Sequence, residues 1–497
     1  CQHIIFFFFF TMAAPVVAAK EFVARPRVIQ AANKLLDICA LPQLCEALTT
    51  AKAEDAEPLV AALEGLSEIE EVRPLFLEEG ITNFLTQGAI AADPRLRLTV
   101  AKLLAHLAEG EASVQKLLDL DLFQLCQQLL LDEETGVAET AAKAVCIGVA
   151  SPAGQQALVT SPGSLADTLL QRLQDLPDVP RIRILALFVQ LGRVGPEVFS
   201  SLEQKGAYEK VLGSFLTDDL LLKLNAVELM DALGSYEQGQ DYLARSNVPQ
   251  KLEADLMDPY CDGSVRLCVT RLLGFIAGRS GTAAELLLRS HEAPFPQSIA
   301  GLLDSRDVTS RLCAIHAWAT STLQSRGLGF FLKWRPMLEE MVSLLGATQN
   351  EIAKGAMDAW TIVLQARPPE DQEAAELWGM AESLTGPVLK NLTNKPFPDV
   401  RPHTWQLLSV LCRSQKAAQK ALQSSELREL LLNFQSEAST DARYAKHTLV
   451  KTLVDCHTHW MGGLLDSEVM DLIMQFSEQG PYWVPRSAGA AMKDEAA

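Results

Sequence analysis

The sequence is poor in aromatic residues, which make up only 6% of its 497 residues. It also lacks any run of lysine and arginine, and its formal net charge is −19 at pH 7. Proteins that hold nucleic acid through its phosphates need a basic surface, so this composition argues against a nucleic-acid partner. An acidic surface favours instead a protein partner that carries basic patches.

Motifs that signal catalysis are missing as well. The chain contains no GxxxxGK[ST] loop, no HExxH, no GxSxG and no Rossmann glycine fingerprint after a strand. The best metal-like cluster is Cys456, His457 and His459, but its spacing matches no zinc finger or ribbon and the chain has no CxxC pair. We therefore expect no enzyme activity, no cofactor and no metal site.

Features of secreted and membrane-spanning proteins are also absent. Ten cysteines are scattered along the chain, most of them in apolar runs, without a secretion signal, which predicts reduced thiols in the cytoplasm, with the nucleus as a second compartment. The apolar run at residues 4–10 is too short to span a membrane and has no charged flank typical of a signal peptide. Because Met12 resembles an ordinary start, residues 1–11 are interpreted as a non-native upstream segment.

What the sequence does have is a repeat. An Asp is followed four residues later by a cation, and an apolar column then continues in steps of four, three and four residues, which is one face of an α-helix. Three copies lie at residues 93–107, 219–233 and 262–276. The cation recurs at a period of about 43 residues, which is typical of HEAT and armadillo repeats. Its positions are Arg97, Arg183, Lys223, Arg266, Arg311 and Lys354.

The Asp and the cation have different expected roles. The Asp should accept backbone hydrogen bonds as a helix N-cap, a contribution of about 1 kcal/mol. The cation four residues on could form a solvated pair with that same Asp, worth a few tenths of a kcal/mol. It could equally join a ladder of charges between neighbouring repeats, and the sequence leaves both possibilities open.

A second half-motif is followed by a short break and another helix. It contains Gly-Gln at residues 154–158 and 239–243 and Ala-Gln at residues 418–422. This order resembles the armadillo repeat, in which we take the helix after the break to line the concave face of the superhelix. The candidate lining helices are 121–131, 164–173, 206–216, 248–257, 295–303, 335–345, 383–392 and 426–434.

These patterns predict an all-α, right-handed armadillo/HEAT-like repeat solenoid over residues 12–484, with about nine to eleven repeats. Residues 12–60 should form a capping helix pair, residues 366–373 a polar loop, and residues 485–497 a disordered tail. Trp318, Trp360 and Trp405 recur about once per repeat on the helix that carries the cation. We interpret them as core residues rather than as a peptide-binding array, because Asn does not follow four residues later.

Three C-terminal segments carry a family resemblance: residues 395–399 (KPFPD), 441–444 (DARY) and 478–484 (EQGPYWV). In their order and spacing they resemble the proteasome regulatory subunit 5 family, over roughly residues 12–485. The resemblance implies a chaperone for assembly of the base of the proteasome regulatory particle. Such a chaperone binds the C-terminal domain of an AAA ATPase subunit together with other base subunits, and it is absent from the finished proteasome.

The resemblance transfers no contact residues, so the candidates come from the candidate lining helices. The predicted partner-binding residues are Gln128, Arg172, Lys210, Asp255, Glu339 and Lys390. We expect the chain to be monomeric on its own. The alternative function is that of a generic armadillo adaptor, such as a transport receptor or scaffold, which composition and periodicity alone do not separate from a chaperone.

Overall fold

The computed structural model describes residues 14–215, 217, 219–394 and 397–485, and no strand occurs among them. The chain forms two compact units, one up to Gly239 and one from Gln240. Each unit is a stack of helical repeats, and the boundary falls inside the helix Glu237–Arg245. Residues 1–11 and all but the first residue of the predicted tail lie outside the described residues, so those two predictions are not addressed.

Each regular repeat contributes a long helix, a short second helix and a third helix. The helices up to the boundary are α1 (14–23), α2 (Ile29–Ile38), α3 (Leu41–Thr50), α4 (Ala53–Ser67), α5 (Glu79–Ala89), α6 (Pro94–Leu107), α7 (Glu111–Asp119), α8 (Phe123–Leu129), α9 (Thr135–Val149), α10 (Pro152–Gln155), α11 (Leu165–Arg172), α12 (Asp178–Leu191), α13 (Pro196–Gln204), α14 (Ala207–Gly213), α15 (Leu220–Leu233) and α16 (Glu237–Arg245).

The second unit repeats the same order. Its helices are α17 (Val248–Met257), α18 (Gly263–Arg279), α19 (Gly281–Leu287), α20 (Pro294–Leu303), α21 (Val308–Ser321), α22 (Ser325–Lys333), α23 (Arg335–Ser343), α24 (Asn350–Gln365), α25 (Ala375–Asn394), α26 (Arg401–Leu411), α27 (Gln415–Gln423), α28 (Ser425–Leu432), α29 (Thr440–Met461) and α30 (Ser467–Gln479). The all-helical repeat architecture predicted from the sequence is confirmed. The predicted capping helix pair at residues 12–60 is wrong, because residues 14–60 form α1, α2, α3 and the start of α4.

The long helices form a continuous layer within each unit. α6, α9, α12 and α15 pack in succession in the first unit, and α18, α21, α24, α26 and α29 do so in the second. The predicted apolar column is buried, including Leu103, Leu229 and Leu272. At the α18–α21 contact a Cβ on Gly274 would lie 2.8 Å from Ala317 Cα, so the two backbones approach closely.

The predicted N-caps are present. Asp93 accepts a hydrogen bond from the Arg95 backbone N–H at 2.9 Å, and Asp262 accepts one from Ser264 at 2.8 Å. Asp219 and Asp307 cap α15 and α21 in the same way. Each cap satisfies one of the backbone donors that a helix leaves unpaired in its first turn.

The cation proves to join neighbouring repeats. Arg97 does not pair with the Asp93 carboxylate; it donates to the carbonyls of Ala91 and Ala92 and to both carboxylate oxygens of Asp132 in the next repeat. Burial alone would raise the pKa of Asp132, but the hydrogen bonds from Arg97 and from the Glu134 N–H, together with the positive charges of Arg97 and Arg183, outweigh it and the pKa is lowered. In this repeat the ladder is the correct alternative.

The same joint recurs in the second unit. Arg266 donates to the carbonyls of Leu256 and Asp258, and Lys354 lies 3.0 Å from Asp399 of the next repeat. These contacts tie the start of a long helix either to the end of the preceding third helix or to the following repeat. The carbonyls at a helix C-terminus carry partial negative charge, which makes them suitable acceptors for a cation.

The most buried joint lies between α26 and α29. Arg401 donates to the Leu392 carbonyl and forms two hydrogen bonds with the carboxylate of Glu437, which is 1% exposed. Lys446 is equally buried, and its ammonium donates to the Leu430 and Asn433 carbonyls and to Ser436. Burial lowers the pKa of Lys446 to about 8, although the Glu437 charge acts in the opposite direction.

A steric constraint explains why glycine occurs in the second half-motif. A Cβ on Gly154 would lie 1.9 Å from the Gly148 carbonyl oxygen, and one on Gly239 would lie 1.8 Å from that of Leu233. The short helix therefore begins against the end of the long helix, where no side chain fits. The three tryptophans are buried as expected, and the Trp318 and Trp360 rings meet edge to face with centroids 5.1 Å apart.

The helices predicted after each break are present except for one difference. The prediction placed a separate helix at 383–392, whereas α25 runs without interruption from Ala375 to Asn394 and contains Pro387. No glycine, proline or asparagine occurs at 380–384 to end a second helix there, although such residues stand at 162–163, 206 and 247 in other repeats. Within the described residues, no helix is both long enough and apolar enough to cross a bilayer.

Leu272→Asp should unfold the second unit. Leu272 is fully buried in α18, and an unpaired carboxylate there costs several kcal/mol. The matched control is Leu221→Asp. Leu221 also lies on a long helix, α15, but it is 69% exposed. Thermal melting followed by circular dichroism should show a large loss for the first variant alone, and equal melting of both variants would contradict the assigned register.

The contribution of Lys446 to stability should become more favourable between about pH 8 and pH 10, whereas buried thiols whose pKa is raised, such as Cys126 and Cys412, act in the opposite direction. In the folded chain its pKa is about 8, whereas in the unfolded chain it is near its usual 10.5. Between these values the unfolded chain binds more protons, so raising the pH favours folding by up to about 3 kcal/mol. Chemical denaturation of the wild type and of Lys446→Met across this range measures the effect.

Subtracting the free energy of unfolding of Lys446→Met from that of the wild type cancels the contributions of the other titrating groups. The free-energy difference between wild type and Lys446→Met should change with pH only in this window. A difference that stays constant from pH 7 to pH 10 would show that Lys446 is not buried as a cation.

Candidate protein-binding surface

A groove with a cavity volume of about 1050 Å³ crosses three consecutive long helices of the second unit, α24, α26 and α29. It is larger than a pocket of about 460 Å³ between α17, α18 and α20. Its walls are formed by Thr361 and Gln365 on α24, by Gln406 on α26 and by Tyr444 and Thr448 on α29. This surface is a candidate for binding another protein, and we call it the 24/26/29 groove.

Local sequence places these side chains. Ser439 caps α29 by accepting a hydrogen bond from the Ala442 N–H at 3.2 Å, which puts Asp441 in the first turn and Tyr444 one turn later. Pro398 precedes α26 and Pro402 lies in its first turn, where a missing N–H costs nothing. Rigid helices and prolines therefore hold the groove, and its shape does not depend on a long loop.

The groove has an excess of negative charge. The Lys354 ammonium hydrogen-bonds to Asp399 at 3.0 Å and lowers the pKa of that carboxyl, so these two charges offset each other. His403 Nδ1 lies 2.6 Å from Asp358 Oδ1. Asp441 is exposed and has no side-chain partner within the described part of the chain, so its charge faces the groove uncompensated.

The three segments that carry the family resemblance meet at this groove. The first supplies Pro398 and Asp399, and the second supplies Asp441 and Tyr444. The third supplies Tyr482, whose ring meets that of Tyr444 edge to face with centroids 6.0 Å apart. The first two residues of the first segment, 395 and 396, lie outside the described residues.

Both tyrosines of this contact remain accessible. Tyr444 is 53% exposed and Tyr482 is 55% exposed. The guanidinium carbon of Arg443 lies 5.4 Å from the centroid of the Tyr482 ring. Next to Tyr482, Trp483 anchors the segment against Phe434, with centroids 5.2 Å apart. An aromatic surface at the rim of the groove is thus held in place by a half-buried neighbour.

The six residues predicted from the sequence lie elsewhere, on third helices. Gln128, Arg172 and Lys210 are exposed on α8, α11 and α14 of the first unit. In the second unit Asp255 is half-buried on α17, while Glu339 and Lys390 are exposed on α23 and α25. None of the six lines the 24/26/29 groove, and their role as partner contacts stays a prediction.

Sequence reasoning missed the groove because its residues are far apart in the chain. A signal was nevertheless present, since Phe397, Asp441 and Tyr482 follow one another at about one repeat period. Equivalent positions of consecutive repeats lie side by side in a solenoid, so short segments spaced by the period fall on one surface.

The middle residue of the metal-like cluster, His457, has a structural role. His457 is buried, and its Nε2 atom donates to the Cys412 carbonyl at 2.6 Å, whereas Cys456 and His459 are exposed. Within the residues that the structure describes, no group of three His, Cys, Asp or Glu side chains is placed to hold a metal ion.

Solved structures share this architecture at low sequence identity. Yeast importin-β, Kap95p, matches with a TM-score of 0.60 and 13% identity, over 93% of this chain and 56% of that chain. Kap95 in its complex with Nup1 matches with a TM-score of 0.57 and 11% identity, over 94% of this chain and 56% of that chain. These similarities support a helical repeat solenoid and concern the fold alone.

Sequence relatives identify the family. The 26S proteasome non-ATPase regulatory subunit 5 of Homo sapiens is 20% identical over 86% of this chain and 85% of its own length. The protein of the same name from Mus musculus is 20% identical over 87% of both chains. The family model described as "Proteasome non-ATPase 26S subunit" matches residues 27–497. The chain therefore belongs to the family of proteasome non-ATPase 26S subunits.

Proposed function

We propose that the chain is an assembly chaperone for the base of the 26S proteasome regulatory particle. The observation that carries this proposal is the family match, which extends over nearly the whole repeat solenoid rather than over one repeat. A match confined to one or two repeats would reflect the common helical period alone. The chaperone binds the C-terminal domain of an AAA ATPase subunit, contacts other base subunits, and leaves before the proteasome is complete.

The proposed action is binding alone. Exposed side chains on successive rigid helices hold the partner, and neither nucleotide nor cofactor takes part. We place this activity in the cytoplasm, with the nucleus as a second compartment, and we propose a monomer between binding events. A chaperone complex with a micromolar to nanomolar dissociation constant has a binding free energy of about −8 to −12 kcal/mol, which a ring with many subunit contacts can exceed.

The second candidate is a general armadillo adaptor such as a transport receptor, and the importin-β fold similarity is compatible with it. Capture experiments with the tagged full chain separate the two. ATPase base subunits without core-particle subunits in the captured material support the chaperone. Transport cargo or small GTPases without base subunits would support the adaptor.

The six residues on the third helices are proposed as partner contacts. Arg172→Glu combined with Lys210→Glu should weaken capture of the ATPase subunit at least several-fold, because two exposed cations become anions. Lys116→Glu on the second helix α7 is the matched control, since that lysine is also exposed. Equal capture by the double variant and the control would exclude the third helices of the first unit as the contact.

The chaperone and the proteasome core particle should compete for the ATPase. Bound at the C-terminal domain, the chaperone occupies the space next to the ATPase tail that docks on the core particle. Adding purified core particle to the chaperone–ATPase complex should therefore release the chaperone, as measured by gel filtration. A stable complex of all three, with the chaperone retained and the tails docked, would contradict the steric mechanism.

A further inference from the structure

We propose that the 24/26/29 groove docks an extended, basic segment of the partner protein. This inference rests on the proposed function only for the identity of the partner, because the groove's shape and chemistry define the segment by themselves. The argument uses the dimensions of the groove, its unpaired polar groups, its charge and its aromatic rim.

The dimensions fit a short stretch of extended chain. Three consecutive helices at spacings of about 8–10 Å span about 16–20 Å between the outer two. An extended chain advances about 3.3–3.6 Å per residue, so about five or six residues cross the groove. A folded domain would have to rest on the rim, whereas a single extended segment can reach Thr361, Gln406 and Thr448 in succession.

The polar groups suit a peptide backbone. Gln365 and Gln406 face the groove, and their amides have no hydrogen-bond partner among the described residues. Each amide offers both a donor and an acceptor, which is the pair of groups that one peptide unit of an extended chain requires. A helical segment would not use them, because its backbone groups are already paired.

The charge selects a basic segment. The Lys354 and Asp399 charges offset each other, and Asp441 contributes an exposed carboxylate without a partner in the described part of the chain. At the rim, Tyr444 and Tyr482 expose ring surface that can stack on a guanidinium. The Arg443 guanidinium already lies over the Tyr482 ring, so the Tyr444 ring, which lines the groove together with Asp441, is the one that a cation of the partner can approach.

The buried joint below gives the groove a rigid floor. Arg401 is the neighbour of Pro402, and its hydrogen bonds with Glu437 connect the first turn of α26 to the residues just before α29. Lys446, in α29, closes the same joint from the other side. Because the walls are fixed before binding, the partner segment alone loses conformational freedom when it docks.

The test uses two fluorescein-labelled peptides of about ten residues in a glycine–serine background, one with arginine at alternate positions and one with glutamate. Fluorescence anisotropy with the full chain should detect binding of the arginine peptide at sub-millimolar concentration. Because exposed charges are screened by salt, this binding should weaken as the salt concentration rises. Equal or tighter binding of the glutamate peptide, or no binding of the arginine peptide up to millimolar concentration, would overturn the proposal.

Variants locate the binding. Asp441→Asn should weaken binding of the arginine peptide several-fold, and Asp441→Asn with Tyr444→Ala should weaken it at least about tenfold. Asp455→Asn is the matched charge control, because Asp455 is exposed on the same helix outside the groove. Tyr260→Ala is the aromatic control, since Tyr260 is 93% exposed elsewhere. Unchanged affinity in the groove variants, or equal loss in the controls, contradicts the assignment.

Two further measurements are needed. One tests for another occupant of the groove, and the other separates failure of the groove proposal from failure of the proposed function. If the wild type dimerises in sedimentation and Asp441→Asn does not, the groove holds a second copy of the chain and the proposal is wrong. If the double variant still captures base ATPases as the wild type does, the proposed function stands and the groove proposal fails. If the wild-type chain captures no ATPase but binds the arginine peptide, and the groove variants lose that binding, the groove proposal is supported and the proposed function is rejected.

Discussion

The cation at the start of the long helix governs how neighbouring repeats meet. From this position Arg97 and Arg266 reach the carbonyls at or just beyond the end of the preceding third helix. Arg401, the first residue of α26, and Lys446, in the second turn of α29, make the same kind of contact from other positions. A buried cation must find acceptors, and the unpaired carbonyls at a helix C-terminus are the nearest ones that the fold supplies. One side chain therefore fixes both the position of the long helix and its rotation relative to the preceding helix.

This constraint also reaches the next repeat. Arg97 holds Asp132, and Arg401 holds Glu437, so the same guanidinium that closes one repeat also binds the loop of the following one. A planar guanidinium can donate in both directions, which an ammonium does less well because it lacks the fixed fork of donors. The layer of long helices is thus kept in register by contacts at its edge, and its outer face is free to form the 24/26/29 groove.

Much of the fold could be predicted from local sequence, because helix periods and N-caps are local. The Asp93 and Asp262 caps and the buried column through Leu272 follow from spacing within one helix. The direction of Arg97 could not be predicted, since a pair four residues apart and a contact with the next repeat have the same sequence pattern. Only the packing of α6 against its neighbours decides between them. The uninterrupted α25 is a different case, because the residues that mark a break in other repeats are lacking at 380–384, so the local sequence did carry this signal.

The candidate surfaces were harder to predict because burial and charge there depend on which helices become neighbours. The third-helix residues Arg172 and Lys210 are cations, whereas the groove presents the unpaired carboxylate of Asp441. One partner segment cannot favour both surfaces, because the charge that suits one opposes the other. A partner that uses both must therefore carry separate acidic and basic regions. The overall charge of −19 hides this division, since it describes the whole chain and not the surfaces that a partner meets.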